Sequence, residues 1–387
     1  MRTSDLVERS VALPGPAEDP TSPVARVFAK PSILGLFLPT FHGGWSASTL
    51  PRETDWSYDY ISALTRRADA VGFDLAFGYS LWLPKGGEGP TRSDLGLESL
   101  SSAIALAAIT SRLLIIGTIH PFYGPWHPLH IAKFGATLDH ISRGRWGFNI
   151  VTGHRASEHE LFGQAQIPHD NRYVLADEFT AVLRQLWAAN EPISFESANG
   201  WRFNEAYISP KSEHGRPLLV TATGSAAGIE FAARHADIVF IASPGGSDLP
   251  SAVATLPEHT ARIKAAARAK GRSVRLLINP LIVVRETDEE AEAYAQAIIA
   301  HADLLTLKGG RAFASDAHAW QGYKPGASEV IGGNLQLIGS PEHIVGQLAQ
   351  LHAAGVDGFQ VSFYDYGPDF DLFVERVMPL MQTVGLR

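Results

Sequence analysis

The stretch LLIIGTIHPFYGPWHPLHIAKFGATLDHISRGRWGFNIVTGH, residues 113–154, holds two apolar, β-rich runs, Leu113 to Thr118 and Trp146 to Val151, with a helical pattern over Leu129 to Ile141 between them. Both runs are nearly continuous in apolar character, as strands covered on two faces are. A strand, a helix and a second strand of this kind make one unit of a parallel sheet. The same rhythm recurs outward from it. The runs Ile33 to Leu38, Asp74 to Gly78, Leu218 to Ala222, Ile238 to Ile241, Arg275 to Val284 and Gly358 to Phe363 bring the strands to eight. Helical spacing fills Trp56 to Val71, Leu97 to Thr110, Tyr173 to Trp187, Ala226 to Arg234, His259 to Lys270, Asp288 to Leu305 and Pro341 to Ala353, with Asp55, Ser225 and Ser340 as N-caps. Eight strands favour closure into an α/β fold of the (β/α)8 barrel type, with an open doubly wound sheet as the alternative.

One barrel with an insertion accounts for 387 residues at 45% hydrophobic and 19% charged content. Residues 1–31 scatter Arg2, Asp5, Glu8, Arg9, Glu18 and Asp19 among Pro and Ser, and are expected to form an extended or mobile arm without a signal-peptide core. Residues 32–387 form the barrel, interrupted by the Gly-rich segment Thr306 to Leu337, which has the length and composition of a lid. The net charge of -8 and the pI near 6.0 argue against a phosphate-backbone binder, so no nucleic-acid partner is expected. Disulfides, thiolate chemistry and Cys-based metal sites are excluded by the lack of cysteine. No run reaches the roughly 20 apolar residues of a membrane span, which makes a cytoplasmic enzyme the default.

Barrel chemistry sits at the carboxyl ends of the strands. The first four such loops carry Phe41, His42 and Trp45, then Tyr79 and Trp82, then His120, Phe122, Tyr123 and Trp126, then His154. Flat side chains gathered at one mouth suit a planar cofactor and an apolar substrate, although each ring alone is compatible with rim packing. Asn149, Thr152 and Gly153 close the fourth strand, where an amide and a hydroxyl can orient a polar edge. Arg172 and Tyr173 open a helix, and Thr223-Gly224-Ser225 precedes another, an arrangement able to hold a phosphate or simply to cap the helix. The fifteen histidines do not fall at metal-ligand spacing, and no Gly-x-Ser-x-Gly elbow, Walker motif or complete dinucleotide fingerprint is present. With so few acids, bases or nucleophiles of its own, the chain is expected to rely on a cofactor.

Leu138-Asp139-His140-Ile141-Ser142-Arg143-Gly144-Arg145 followed by Asn149-Ile150-Val151-Thr152-Gly153, together with Gly72-Phe73-Asp74, Leu97-Glu98-Ser99, Ile104 to Arg112 and Ile338-Gly339-Ser340, resembles the bacterial-luciferase-like flavin monooxygenases from about Ser32 onward. The likeness is to their pyrimidine, dimethylsulfone and alkanesulfonate branch. It implies a TIM barrel, reduced FMN from a separate flavin reductase, O2 and a small-molecule substrate as reactants, and a homodimer or homotetramer. Thr118 and Asn149 resemble the pair that places oxygen beside the flavin. Asn149, Glu158, Arg172, Tyr173 and Ser225 resemble flavin contacts, which Tyr79, Ser80 and Gly224 complete. Phe41, His42, Trp45, Trp82, His120, Tyr123 and His154 are the expected substrate surface, and their departure from the pyrimidine enzymes leaves the substrate open. The sulfonate enzymes' arginine-rich site has no counterpart beyond Arg311. A riboflavin-cleaving relative, a deazaflavin-dependent dehydrogenase and a non-catalytic flavin binder remain alternatives on the same fold.

Overall fold

The computed structural model describes residues 3–80, 82, 91, 95–124, 126–197, 199–307, 316, 330–332 and 335–387. Eight parallel strands close on themselves: β1 (Ile33–Leu38), β2 (Leu75–Gly78), β3 (Leu114–Ile119), β4 (Trp146–Ile150), β7 (Leu218–Ala222), β8 (Ile238–Ile241), β9 (Arg275–Ile278) and β12 (Gly358–Phe363), with β12 returning to pair with β1. The (β/α)8 barrel is therefore the architecture, and the open sheet is not. Between β4 and β7 lies an antiparallel hairpin, β5 (Ile193–Glu196) and β6 (Arg202–Ala206).

The run expected as one strand, Arg275 to Val284, is two. Asn279 interrupts it, turning its side-chain amide onto the Gln360 carbonyl, and Pro280 brings no N–H to the ladder. Beyond the break, β10 (Pro280–Val284) pairs with the upper end of β12 and with β11 (Leu335–Gly339). Sequence reading did not foresee β11. Most of the expected lid, Thr306 to Leu337, lies outside the described residues, as does Arg311.

Alternation along the strands sorts the side chains into two cores. Ile33, Phe37, Leu75, Phe77, Leu114, Ile116, Leu218, Val220, Ile238 and Leu277 share one cluster in the lumen, while their neighbours Leu34, Leu36, Ala76, Ile115, Leu219, Val239, Leu276 and Phe359 belong to the layer beneath the helices. The covering helices include α3 (Tyr58–Val71), α4 (Ser99–Ile109), α5 (Pro128–Ser142), α6 (Ala156–Leu161), α7 (His169–Ala188), α8 (Ala226–His235) and α9 (Leu249–Arg268). Ser57, not Asp55, caps α3: its Oγ accepts the Tyr60 N–H at 3.4 Å, and Asp55 in turn accepts the Ser57 hydroxyl. Helix α9 starts ten residues before the expected His259 and carries Pro257 within it.

The segment before Ser32, expected as an extended arm, is helical instead. Helix α1 (Thr3–Val11) lies on α7 with Leu6 buried, and α2 (Pro23–Phe28) inserts Val24 and Val27 into the lumen cluster at the amino-terminal end of the barrel. Tertiary burial supplies what the short, Pro-interrupted sequence does not advertise. Below the sheet, Asp237 accepts two bonds from Arg216 (2.7 and 2.8 Å), one from Arg272 (3.1 Å) and the Leu219 N–H (2.9 Å). Burial pushes that carboxyl up, but Arg216 and Arg272 outweigh it and hold it below its ordinary value. Among the described residues no helix is long and apolar enough to cross a membrane.

The Asp237 cluster generates a prediction. Arg216→Met leaves a buried carboxylate short of its main partner and is expected to cost about 3–5 kcal/mol in urea unfolding; a loss below 1 kcal/mol would show that Arg272 alone suffices.

Candidate active site

At the carboxyl end of the lumen the inward register of β3 and β4 passes from apolar to polar. Leu114 and Ile116 are followed on the same face by Thr118, and Thr118 stands beside Asn149 in the β3–β4 register. Asn149 Nδ2 donates to Thr118 Oγ1 at 3.1 Å, and the Thr118 hydroxyl donates to the Gly78 carbonyl at 3.1 Å. Ser99 supports this relay by donating to the same carbonyl (2.8 Å) and accepting the Thr118 N–H (3.1 Å), standing in for a backbone rung where β2 and β3 splay apart. Thr118, Asn149 and Ser99 are all buried. One buried acceptor of the relay, Asn149 Oδ1, has no hydrogen-bond partner among the described residues, so the relay leaves one unsatisfied carbonyl.

The expected aromatic surface falls into two groups. Phe41, Trp45 and Tyr79 meet edge to face, with ring centroids 5.0–5.9 Å apart, over the Phe37–Phe77–Phe240 stack of the lumen. Ser80 is buried behind Tyr79, whereas His42 is exposed and stands outside this group. In the second group Trp82 Nε1 donates to His120 Nδ1 at 3.3 Å. His120 stacks flat on Tyr123 at 4.5 Å, and Phe162 closes the cluster against both Trp82 and Tyr123. Gly153 adopts φ +75°, and a Cβ there would run into the Tyr123 ring, so this loop and this ring require each other.

Electrostatics divides the second group into neutral and charged members. Burial first, then the neighbouring His154, His159 and Arg155, lowers His120 to about 3; burial and Arg155 lower His154 to about 4. Both imidazoles are neutral at ordinary pH. Burial and the adjacent Glu158 push the Tyr123 phenol well up, so it stays a donor, giving its hydrogen to Glu158 Oε2 at 2.7 Å. Arg155 reaches Glu158 Oε1 only at 3.8 Å, and its Nε and Nη1 are buried without a hydrogen-bond partner.

Arg172 and Tyr173 diverge from the first turn of α7. The Arg172 guanidinium is buried, donating to the Ile167 carbonyl (2.6 Å) and to both carboxylate oxygens of Asp316 (2.7 and 2.9 Å). Tyr173 points the other way and brings its hydroxyl within 3.4 Å of Thr223 Oγ1, beside the first turn of α8. Ser225 caps that helix by accepting the Gly228 N–H at 3.1 Å, which leaves the serine's own hydrogen free to donate. Gly224 is half-buried between them. The structure thus gathers Thr118 with Asn149, Trp82 with His120 and Tyr123, and Tyr173 with Thr223 and Ser225, while Arg172 faces Asp316. Ser99, Arg155, Phe162 and Asp316 were not singled out for these roles. Ser99 could have been found from its place one residue after a helix cap beside a strand end; nothing in the sequence marks Asp316.

The chain matches the luciferase-like monooxygenase family over residues 33–358. It is 30% identical over 360 residues to an FMNH2-dependent dimethylsulfone monooxygenase of Pseudomonas fluorescens, across 90% of this chain and 94% of that protein. It is equally 30% identical over 364 residues to a pyrimidine monooxygenase of Acinetobacter baylyi, across 90% and 95%. The fold superposes on the crystal structure of DmoA from Hyphomicrobium sulfonivorans with a TM-score of 0.77 at 21% identity, covering 92% of this chain and 89% of that one. A closed parallel barrel with a buried polar relay at its aromatic mouth, matched over more than three quarters of its length, belongs to the luciferase-like monooxygenase family.

Proposed function

We propose that the chain is a two-component flavin monooxygenase that takes reduced FMN from a separate reductase in the cytoplasm and oxygenates a small, flat, weakly polar organic substrate. The observation that carries this reading is the Asn149 carboxamide, whose Nδ2 is engaged by Thr118 while its buried Oδ1 has no protein partner. A buried acceptor in that state calls for an N–H from a ligand, and reduced flavin presents such groups along one edge. The rest of the mouth fits the same group. Its aromatic rings suit a planar body, and Tyr173, Thr223 and the Ser225 hydroxyl at the α8 N-terminus suit a phosphate. When bound, reduced flavin supplies the electron pair that activates O2.

The chain's own residues would then position and exclude. Thr118, held by Gly78 and backed by Ser99, fixes the amide plane of Asn149. With Trp82 donating to its Nδ1, His120 carries its hydrogen on Nε2 and acts as a neutral donor. Tyr123 and Glu158 hold each other, so the ring under His120 cannot swing. Phe41, Trp45, Phe162 and Trp82 keep water from the reacting edge. An aromatic lining of this kind favours a flat, weakly polar substrate over a sulfonate.

The resemblance implies a homodimer or homotetramer, and we place a copy-to-copy interface at the outer faces of α4 and α5. Helix α4 carries no charged residue, yet its Ile104 is 37% exposed, and on the adjoining α5 Phe134 and Ile141 are 41% and 50% exposed. An uncharged helix that exposes small residues and an isoleucine suits an interface, and a two-fold axis would set the small Ser101, Ala105 and Ala108 of one copy against the large side chains of the other.

Three outcomes test this reading. Asn149→Ala is expected to lower kcat about 10²-fold and to raise O2 consumed per product, with FMN affinity falling by a much smaller factor; equal losses in rate and affinity would reduce Asn149 to a flavin holder. An Ile104→Arg, Phe134→Glu double variant should elute as a monomer in size-exclusion chromatography, and an unchanged elution volume would place the interface elsewhere. The third concerns pH. His120 and His154 titrate near 3 and 4 when folded and near the ordinary 6.5 when unfolded, so the stability they contribute is full above pH 6.5 and drains as pH falls towards those values. Each adds about 1.4 kcal/mol per pH unit to that slope, and His120→Gln should remove its share in unfolding curves measured from pH 7 to pH 5.

A further inference from the structure

Trp45 packs against three hydrophobic clusters at once: the lumen, the layer beneath the helices, and a third group that includes Leu281, Val283, Ile298 and Tyr364. Its ring centroid lies 3.9 Å from that of Phe37, 5.0 Å from Phe41 and 5.8 Å from Tyr79, so it joins the lumen to the first aromatic group of the mouth. Yet the connection that carries it, between β1 and α3, has no helix or strand to hold it in place. Arg52 takes that role. Its Nη2 donates to the Ser46 carbonyl at 3.3 Å and to the Ser48 carbonyl at 3.4 Å, both just beyond Trp45, so the chain curls around its own guanidinium. The guanidinium carbon stands 4.6 Å from the centroid of the Tyr364 ring, and the Tyr364 hydroxyl donates to the Leu50 carbonyl at 2.6 Å, closing the curl from its other side. Burial lowers the Arg52 pKa, with Tyr364 and Asp365 opposing the shift, and Nη1 is buried with no partner. Among the described residues no carboxylate pairs with Arg52; Asp365 instead accepts the Glu53 N–H (3.0 Å) and the Thr54 hydroxyl (3.1 Å). A charge desolvated without a counter-ion destabilises the fold relative to an apolar side chain of similar length. The two carbonyls and the ring face are what an apolar side chain could not hold together.

We propose that Arg52 is a positioning residue for the mouth: by holding the Ser46 and Ser48 carbonyls it fixes where the Trp45 ring stands against Phe37, Phe41 and Tyr79, and so sets how firmly the mouth grips a flat ligand. The grip presupposes the flavin reading above, whereas the placement of Trp45 stands on the loop geometry alone. Arg52→Lys keeps the charge but loses the planar face that rests on Tyr364. Arg52→Gln keeps a planar donor but loses the charge and the reach.

The experiment labels the full chain with 5-fluorotryptophan for fluorine NMR and titrates the same proteins with FMN by calorimetry. Trp45→Phe identifies the Trp45 line among the eight tryptophans. Arg52→Lys and Arg52→Gln are expected to shift or broaden that line while the buried Trp146 and Trp187 keep theirs, and to weaken FMN about tenfold, as loss of a preorganised wall should. Where Trp45 is already Phe, adding Arg52→Gln should leave FMN affinity within about twofold of the Trp45→Phe value. A Trp45 line that stays put in both Arg52 variants overturns the proposal. So does movement of the Trp146 and Trp187 lines along with it, an unchanged FMN affinity, or losses that multiply in full when the two substitutions are combined. Native protein that binds no FMN would remove the flavin reading and the grip with it, while the Trp45 line would still decide whether Arg52 places the ring.

Discussion

The pairing of β12 with β1 is the constraint on which the rest depends. Closing the sheet removes both of its edges and gives every strand an inside and an outside. Because side chains alternate strictly along a strand, a residue's phase then decides whether it packs under a helix or enters the lumen. On β3 that phase stacks Leu114, Ile116 and Thr118 one above another, and on β4 it brings Asn149 level with Thr118. A slip of one residue would exchange the polar relay for Ile119 and Ile150, and the mouth would be wholly apolar. The site is thus a consequence of register before it is a consequence of chemistry.

Above the relay, the structure uses burial to keep charge in few places. Two histidines are held neutral, a phenol is kept protonated, and among the described residues around them the formal charges pair as Arg155 with Glu158 and Arg172 with Asp316. In such a medium a lone hydrogen-bond donor or acceptor acts more strongly than it would in water, and an unpaired one costs more. That asymmetry gives weight to the few unpaired atoms that remain, Asn149 Oδ1 and Arg172 Nε among them. They belong to residues whose other polar atoms are already engaged, so their directions are set in advance of any ligand.

What the sequence made legible follows from where the information resides. The barrel strands announced themselves because parallel strands are apolar on both faces; Asn149 stood out as an amide near the end of one such run, whereas Thr118 was marked only by the family resemblance. The break at Asn279 was hidden inside a continuous apolar stretch, and β11 followed a Gly-rich segment without a flanking helix pattern. The helical nature of residues 3–28 was hidden for a different reason: α2 has only a few apolar side chains and is stabilised by the cluster it enters. His42, read as a pocket residue from its loop alone, proved exposed, since loop membership fixes neighbourhood but not direction. Asp316 is 144 residues from Arg172 and carries no motif, so only coordinates could join them.

The insertion of Val24 and Val27 beneath Ile33, Leu75 and Leu114 has a consequence for traffic through the molecule. With that end stoppered by buried side chains and the space above it filled by the same cluster, the barrel offers a floor rather than a passage. A ligand docked at the carboxyl end has to come and go by that end.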